Sequence, residues 1–285
     1  MRSGEEIKKM IVDYASAHER VRAVLLNGSR ANPNIKPDKY QDFDIVFIVD
    51  DVNSFTSNFN WINVFGKKII SQLPNEMVIG NNENNEAATF SYLMLFEDGN
   101  RIDLTLFPKD KLASHFHLDS LSIVWLDKDQ LFTNIDPPSE KDYWITQPTE
   151  KEFSDVCNEF WWVSIYVAKG LLRNEITYTK ETLENYVRPM FMKMIEWYIG
   201  TQTGFTVSVG KGGKFIKRYL PEETYNKILA TYSDAQPQNN WNALFLMTEL
   251  FGELASAVSD ELELNYNKTE EINVKEYLKQ LYDES

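Results

Sequence analysis

Around residues 135–148 the hydrophobic rhythm of this chain changes. Before this stretch, short β-rich runs alternate with helical pieces; after it, apolar residues recur at spacings of three and four over long distances. The stretch itself sets Pro137, Pro138 and Pro148 among polar residues, the composition of a linker. Two domains are therefore expected, 1–136 and 149–285, which suits a chain of 285 residues at a prior of about 150 per domain.

In the first part, Ile7, Met10, Ile11 and Tyr14 mark an amphipathic helix over 5–18. Residues 21–26 form a short apolar run that ends in Asn27-Gly28-Ser29, a strand entering a turn. Residues 43–49 are apolar throughout except for Asp44 and read as a largely buried strand. Residues 55–73 are read as a helix with Trp61, Ile62, Val64, Phe65, Ile69 and Ile70 on its apolar side. The runs 89–96 and 101–107 enclose Glu97-Asp98-Gly99-Asn100 and predict a hairpin; residues 123–126 add a short strand. The expected fold is α/β (α+β): a small mixed sheet carrying helices. Beyond the linker, helices are expected over 153–172, 181–199 with a break at Pro189, 240–262 and 272–282, an all-α helical bundle.

Charge narrows the partners. Lys and Arg number 29 against 43 Asp and Glu, a formal charge of −14. Phosphate backbones are met by Lys and Arg, so a nucleic-acid partner is not expected, whereas a cationic small molecule suits such a surface. Cys157 is the only cysteine and reads as a small apolar residue, so no intrachain disulfide or cysteine-rich zinc site can form. With only His18, His115 and His117, any metal is expected to be a hard cation held by carboxylates. The N-terminal segment lacks the apolar core of a signal peptide. No stretch approaches the roughly 20 apolar residues of a membrane span. The expectation is a cytoplasmic protein with no membrane attachment.

Three pieces carry chemistry. Gly28-Ser29-Arg30 follows a strand, Asp42-Phe43-Asp44 opens the next one twelve residues after Arg30, and Asp103 sits among apolar neighbours in the second arm of the hairpin. Residues i and i+2 of a strand share a face, so Asp42 and Asp44 project together. Adjacent carboxylates on a buried strand repel and are costly to desolvate; a divalent cation offsets both costs. Mg²⁺ favours a few carboxylates together with phosphate oxygens and water. A strand beside 43–49 would bring Asp103 in as a third acid. A Gly-Ser turn can hold a phosphate through its amides and hydroxyl, although it is not a GxxxxGK[ST] loop. The blander alternatives are that Asp42 and Asp44 cap a loop, and that Asp103 merely pairs with Arg101 or Lys109.

Leu26-Asn27-Gly28-Ser29-Arg30-Ala31, the Asp42-Phe43-Asp44 pair and Arg101-Ile102-Asp103-Leu104 resemble the nucleotidyltransferase superfamily. Three further parts make the chain similar to the aminoglycoside 6-adenylyltransferases, which modify streptomycin: Trp125-Leu126-Asp127-Lys128-Asp129, Cys157 to Trp162 with Tyr166-Val167-Ala168-Lys169-Gly170, and Gly210-Lys211-Gly212-Gly213-Lys214-Phe215. The resemblance implies a nucleotidyltransferase domain followed by a helical domain that closes the site. It also implies ATP as co-substrate, Mg²⁺ as cofactor, and an aminoglycoside hydroxyl that attacks the α-phosphate. It assigns metal binding to Asp42 and Asp44 and the third-carboxylate role, base or ligand, to Asp103. It turns Gly28, Ser29 and Arg30 towards the triphosphate.

Lys211 and Lys214, part of a basic cluster with Lys217 and Arg218, are candidates for the β- and γ-phosphates, with Arg188 a weaker one. Streptomycin carries guanidinium groups, so Glu159 beside Trp161 and Trp162, and then Glu184, are candidates for its pocket. Trp161 and Trp162 are adjacent and cannot both face one way; one is expected in the core. Competing readings are a nucleotidyltransferase acting on a protein or tRNA end, and a silent module that binds ATP or aminoglycoside without turnover.

Overall fold

Ser3 starts the first helix. Its side chain accepts from the Glu6 amide while Glu6 accepts from the Ser3 amide at 2.7 Å, a reciprocal cap that satisfies two otherwise orphaned donors. Helix α1 (Gly4–Ala17) then turns Ile7, Ile11 and Ala15, spaced by four, fully into the core. The computed structural model describes residues 1–79 and 87–284. The chain divides into two compact units, Met1–Asp142 and Tyr143–Ser285.

The first unit is built on a six-stranded mixed sheet: β1 (Val21–Asn27), β2 (Phe43–Val49), β3 (Lys68–Gln72), β4 (Phe90–Phe96), β5 (Arg101–Pro108) and β6 (Ser122–Asp127), in the order β3-β4-β5-β2-β1-β6. Only β2 and β5 pair in parallel; the other four pairings are antiparallel. Alternation decides what each face carries. Phe43, Ile45 and Phe47 of β2 with Ile102, Leu104 and Leu106 of β5 pack under α1. On the opposite face, Ala23, Leu25, Ile48 and Phe107 make a smaller cluster with Val46, Leu112 and Phe116. That cluster covers one end of the face, near the short helix α3 (Leu112–His115). The other end carries Asp44 and Asp103, both only partly covered.

The helix read over 55–73 is not one. Its place is taken by the short helix α2 (Asn53–Thr56), a 3₁₀ turn over Phe59–Phe65 and strand β3. Gly66, at φ +127, ends the turn in a conformation that side chains disfavour. Ile70 then pairs with Leu95 of β4 at the sheet edge while Ile69 lies at a register shift beside it, and the two are 64% and 63% exposed. Their apolar character resembled a helix face but belongs to an edge strand.

The second unit holds α4 (Glu150–Leu172), α5 (Ile176–Thr182), α6 (Arg188–Thr203), α7 (Glu222–Ala230), α8 (Pro237–Leu262) and α9 (Lys268–Asp283). A capping box of Thr149 and Glu152 opens α4. Between α5 and α6 lies a π-helical turn, Leu183–Val187, with Pro189 in the first turn of α6. Proline has no N–H to return to the preceding turn, and the widened turn takes up the mismatch. In the core Phe160 stacks on Phe251 at 3.7 Å and 3°, and Trp161 meets both edge-on. Cys157 is buried and its thiol is pushed up to about 12 by burial, which leaves it unreactive. Among the described residues no helix is long and apolar enough to cross a membrane.

The stacked pair fixes an expectation. Phe251→Ala should cost about 3–5 kcal/mol in the urea unfolding of the full chain followed by tryptophan fluorescence. A cost close to zero would show that α4 and α8 are not held together by these rings.

Candidate active site

Strand β1 ends at Asn27, and Gly28 follows with φ +72, donating its amide to the Leu121 carbonyl at 3.0 Å. A Cβ on Gly28 would lie 2.4 Å from Asp44 Oδ2. Glycine is therefore required twice, for the left-handed backbone and for the close approach. A 3₁₀ turn over Gly28–Arg30 is closed by the Ala31 amide on the Gly28 carbonyl, and Gln41 Nε2 donates to the Ser29 carbonyl at 3.1 Å.

Strand register aligns the polar side chains in a row. Ser122 stands opposite Asn27, Asn27 opposite Asp44, and Asp44 opposite Asp103. Ser122 Oγ donates to Asn27 Oδ1 at 2.8 Å. Asp42 lies just before β2. Arg101, two residues before Asp103 on the same face, donates through Nε and Nη2 to its two carboxylate oxygens at 2.8 and 2.7 Å. Its Nη1 lies 3.5 Å from Asp42 Oδ2. The three acids thus share one face, with a guanidinium spanning two of them. Arg101, Asn27 and Ser122 were not foreseen as parts of this group: Arg101 was read only as a structural partner of Asp103, and the row depends on register.

Asp44 bears the electrostatic cost. Burial, then the Asp103 and Asp42 carboxylates, raise its pKa to about 6. Asp42 is also raised, first by burial. Arg30 holds this segment from behind: Nε donates to the Gln41 and Asp42 carbonyls at 3.1 and 3.0 Å, Nη2 to Gln41 at 2.7 Å, and the guanidinium stacks 3.7 Å over Phe43. Rather than simply facing a triphosphate, Arg30 fixes the backbone that presents Asp42.

Asp42 and Asp44 suit a hard divalent cation, being carboxylates with excess negative charge. Among the described residues no group of three or more His, Cys, Asp or Glu is arranged to hold a metal ion, and both oxygens of Asp103 are engaged by Arg101. Asp42 and Asp44 would suit a cation that takes few protein carboxylates and completes its shell with phosphate oxygens and water, as Mg²⁺ does.

The remaining candidates lie in the second unit. Lys211, Lys214, Lys217 and Arg218 are exposed in a loop whose Gly210, Gly212 and Gly213 have φ of 70, 65 and 72. Lys214 and Arg218 lie over Phe215, and Lys217 over Tyr225; none of the four pairs with an acid among the described residues. Arg188 is buried: it pairs with Glu184, donates to Thr231 Oγ1 and O at 2.9 Å each, and stacks 3.7 Å over Tyr232. Its donors and Glu184 are thus spent largely on each other and on the helix packing. Of the adjacent tryptophans, Trp161 is in the core and Trp162 is 58% exposed. Trp162 Nε1 donates to Tyr166 OH at 2.9 Å. Glu159, Trp162 and Tyr166 occupy one exposed face of α4; Tyr166, one turn beyond Trp162, is the member of that face not singled out in advance.

Residues 1–281 match the family described as Streptomycin adenylyltransferase. The Aminoglycoside 6-adenylyltransferase of Bacillus subtilis (strain 168) is 42% identical over 283 residues, 99% of each chain. That of Campylobacter jejuni is 40% identical over 266 residues, covering 93% of this chain and 91% of its own. A crystal structure of an aminoglycoside 6-adenyltransferase from Bacillus subtilis covers 99% of both chains at 38% identity, with a TM-score of 0.49.

Two outcomes follow from the geometry. Gly28→Ala should abolish activity and lower the melting temperature, because the new methyl and the Asp44 carboxylate cannot both keep their places; a variant with unaltered activity would refute the close approach. Asp44, with its folded pKa raised to about 6, destabilises the metal-free fold progressively as pH rises from its unfolded value through that point. Asp44→Asn should therefore raise the melting temperature more at about pH 7.5 than at about pH 5. A gain independent of pH would contradict the raised value.

Proposed function

Because the chain belongs to the streptomycin adenylyltransferase family, we propose that it transfers AMP from ATP to a hydroxyl of an aminoglycoside, the 6-hydroxyl of streptomycin foremost, with Mg²⁺ as cofactor and pyrophosphate as the leaving product. The observation that carries this reading is the acid row set against a glycine turn: Asp44 opposite Asp103, with Gly28 pressed against Asp44. We place the reaction in the cytoplasm, where ATP is supplied.

In this reading the acceptor oxygen bonds to the α-phosphorus, the bond to the bridging oxygen breaks, and the electron pair leaves with pyrophosphate. Asp42 and Asp44 would hold the divalent cation, which would supply charge neutralisation at the triphosphate. Ser29 offers its hydroxyl beside the glycine that lets the backbone approach. Asp103 takes the proton of the attacking hydroxyl: each of its oxygens accepts from Arg101 yet keeps a further lone pair. Lys211 and Lys214, exposed and without an acidic partner among the described residues, suit the β- and γ-phosphates. Glu159 with the open face of Trp162 suits a guanidinium of the acceptor. Positioning and charge placement do the work, and no side-chain nucleophile is required.

Mass spectrometry of streptomycin incubated with the enzyme, ATP and Mg²⁺ should show the gain of one adenylyl group. Unmodified streptomycin under conditions where the protein is folded and binds ATP would overturn the assignment. Asp103→Asn should lower kcat by about 10²–10⁴ with the fold and ATP binding retained; undiminished turnover would remove Asp103 from the mechanism.

A further inference from the structure

Among the described residues, Arg101 is the cation that pairs with the side chains of the acid row, and the reaction outlined above gives it no role. Its fork grips both oxygens of Asp103 at 2.8 and 2.7 Å, while Nη1 reaches Asp42 Oδ2 at 3.5 Å. It thus leans on one of the two acids assigned to the cation, and fixes the orientation of the acid assigned to the proton. A partly exposed ion pair of this kind contributes little to stability by itself. Between carboxylates that repel one another it does something more specific, since it supplies positive charge where a divalent cation would otherwise be needed.

A guanidinium and a divalent cation held together at Asp42 repel each other, so each weakens the other's hold. The surroundings leave room for the guanidinium to move. Arg101 borders a groove of about 270 Å³ on the same sheet face, lined also by Ile70, Gln72, Leu93 and Leu95. This groove runs away from Asp42 towards the sheet edge, since Leu95 stands opposite Arg101 on β4 and Ile70 opposite Leu95 on β3.

Resting on the cation role given above to Asp42 and Asp44, we propose that Arg101 is a positioning residue and resident counter-ion: it steadies the acid row in the free protein, keeps Asp103 oriented, and gives up Asp42 when the cation arrives with its triphosphate. The bare cation must displace a positive neighbour and so binds weakly. The nucleotide-bound cation brings the triphosphate's negative charge, which tolerates both positive groups. The acid row is thereby held in reserve for the complete co-substrate.

Direct Mn²⁺ binding to the full-length protein, by calorimetry, tests this without reference to turnover. Arg101→Met removes the charge and keeps the length. Without nucleotide it should bind Mn²⁺ roughly three- to tenfold more tightly than the wild type, and the gain should shrink when a non-hydrolysable ATP analogue is present. Arg101→Lys keeps the charge but loses the fork, and should show a smaller gain of the same sign; it decides the matter should the Met variant fail to fold. A merely structural arginine would leave Mn²⁺ affinity unchanged or weaken it. Either result, in a wild type that binds Mn²⁺ with the analogue, overturns the role of Arg101. A wild type that binds no Mn²⁺ even with the analogue instead overturns the cation reading of Asp42 and Asp44, and this inference with it.

Discussion

The site depends on one strand pairing. Because β2 and β5 run parallel in a register that sets Asp44 against Asp103, two carboxylates are forced side by side on a half-covered surface, with a third just before β2. Nothing in the local chain favours this; like charges at such separation oppose folding. The hydrophobic rows on the reverse of the same strands, Phe43, Ile45 and Phe47 with Ile102, Leu104 and Leu106, supply the stabilisation that tolerates it. Their alternation makes the two properties inseparable, since a strand that buries every second residue must present the others. Two arginines manage what remains, Arg30 through the carbonyls of Gln41 and Asp42 and Arg101 through the carboxylates themselves.

Much of this was legible in the sequence, for identifiable reasons. The near-continuous apolar run over 43–49 located β2, the two β-rich runs around Glu97-Asp98-Gly99-Asn100 located β4 and β5, and the two-residue spacing of Asp42 and Asp44 placed them on one side. The helix misread over 55–73 shows the limit of periodicity: an edge strand pairs through its backbone, so exposed Ile69 and Ile70 offer the same apolar letters as a buried helix face. Pro189 signalled a break, but not that a π-helical turn before it would absorb the strain.

Side-chain roles were less legible than positions. Arg30 and Arg188 are nucleotide-facing candidates in the sequence; in the structure each guanidinium is engaged within its own unit, by carbonyls and Phe43 in one case and by Glu184, Thr231 and Tyr232 in the other. Such commitments depend on residues distant in sequence, which no local pattern displays. Arg101 was read as an alternative to a chemical role for Asp103. The structure makes the two compatible, because a carboxylate oxygen that accepts one hydrogen bond retains another lone pair. Of the tryptophan pair, the helix period required that they part, but only the stacked Phe160 and Phe251 explain why Trp161 is the one inside.

The parallel pairing has a kinetic side as well. Asp44 and Asp103 are 59 residues apart in the chain, whereas the β4–β5 hairpin closes across a four-residue turn. Local contacts form first and distant ones carry the larger loop-closure cost. The hairpin can therefore form before it meets β2, and Asp44 meets Asp103 only when that ribbon docks. Until then the two halves of the chemistry belong to separate folding units, and the carboxylates remain apart in water, where their repulsion is slight. The electrostatic burden is thus imposed in the same step that brings together the hydrophobic rows of β2 and β5 that offset it.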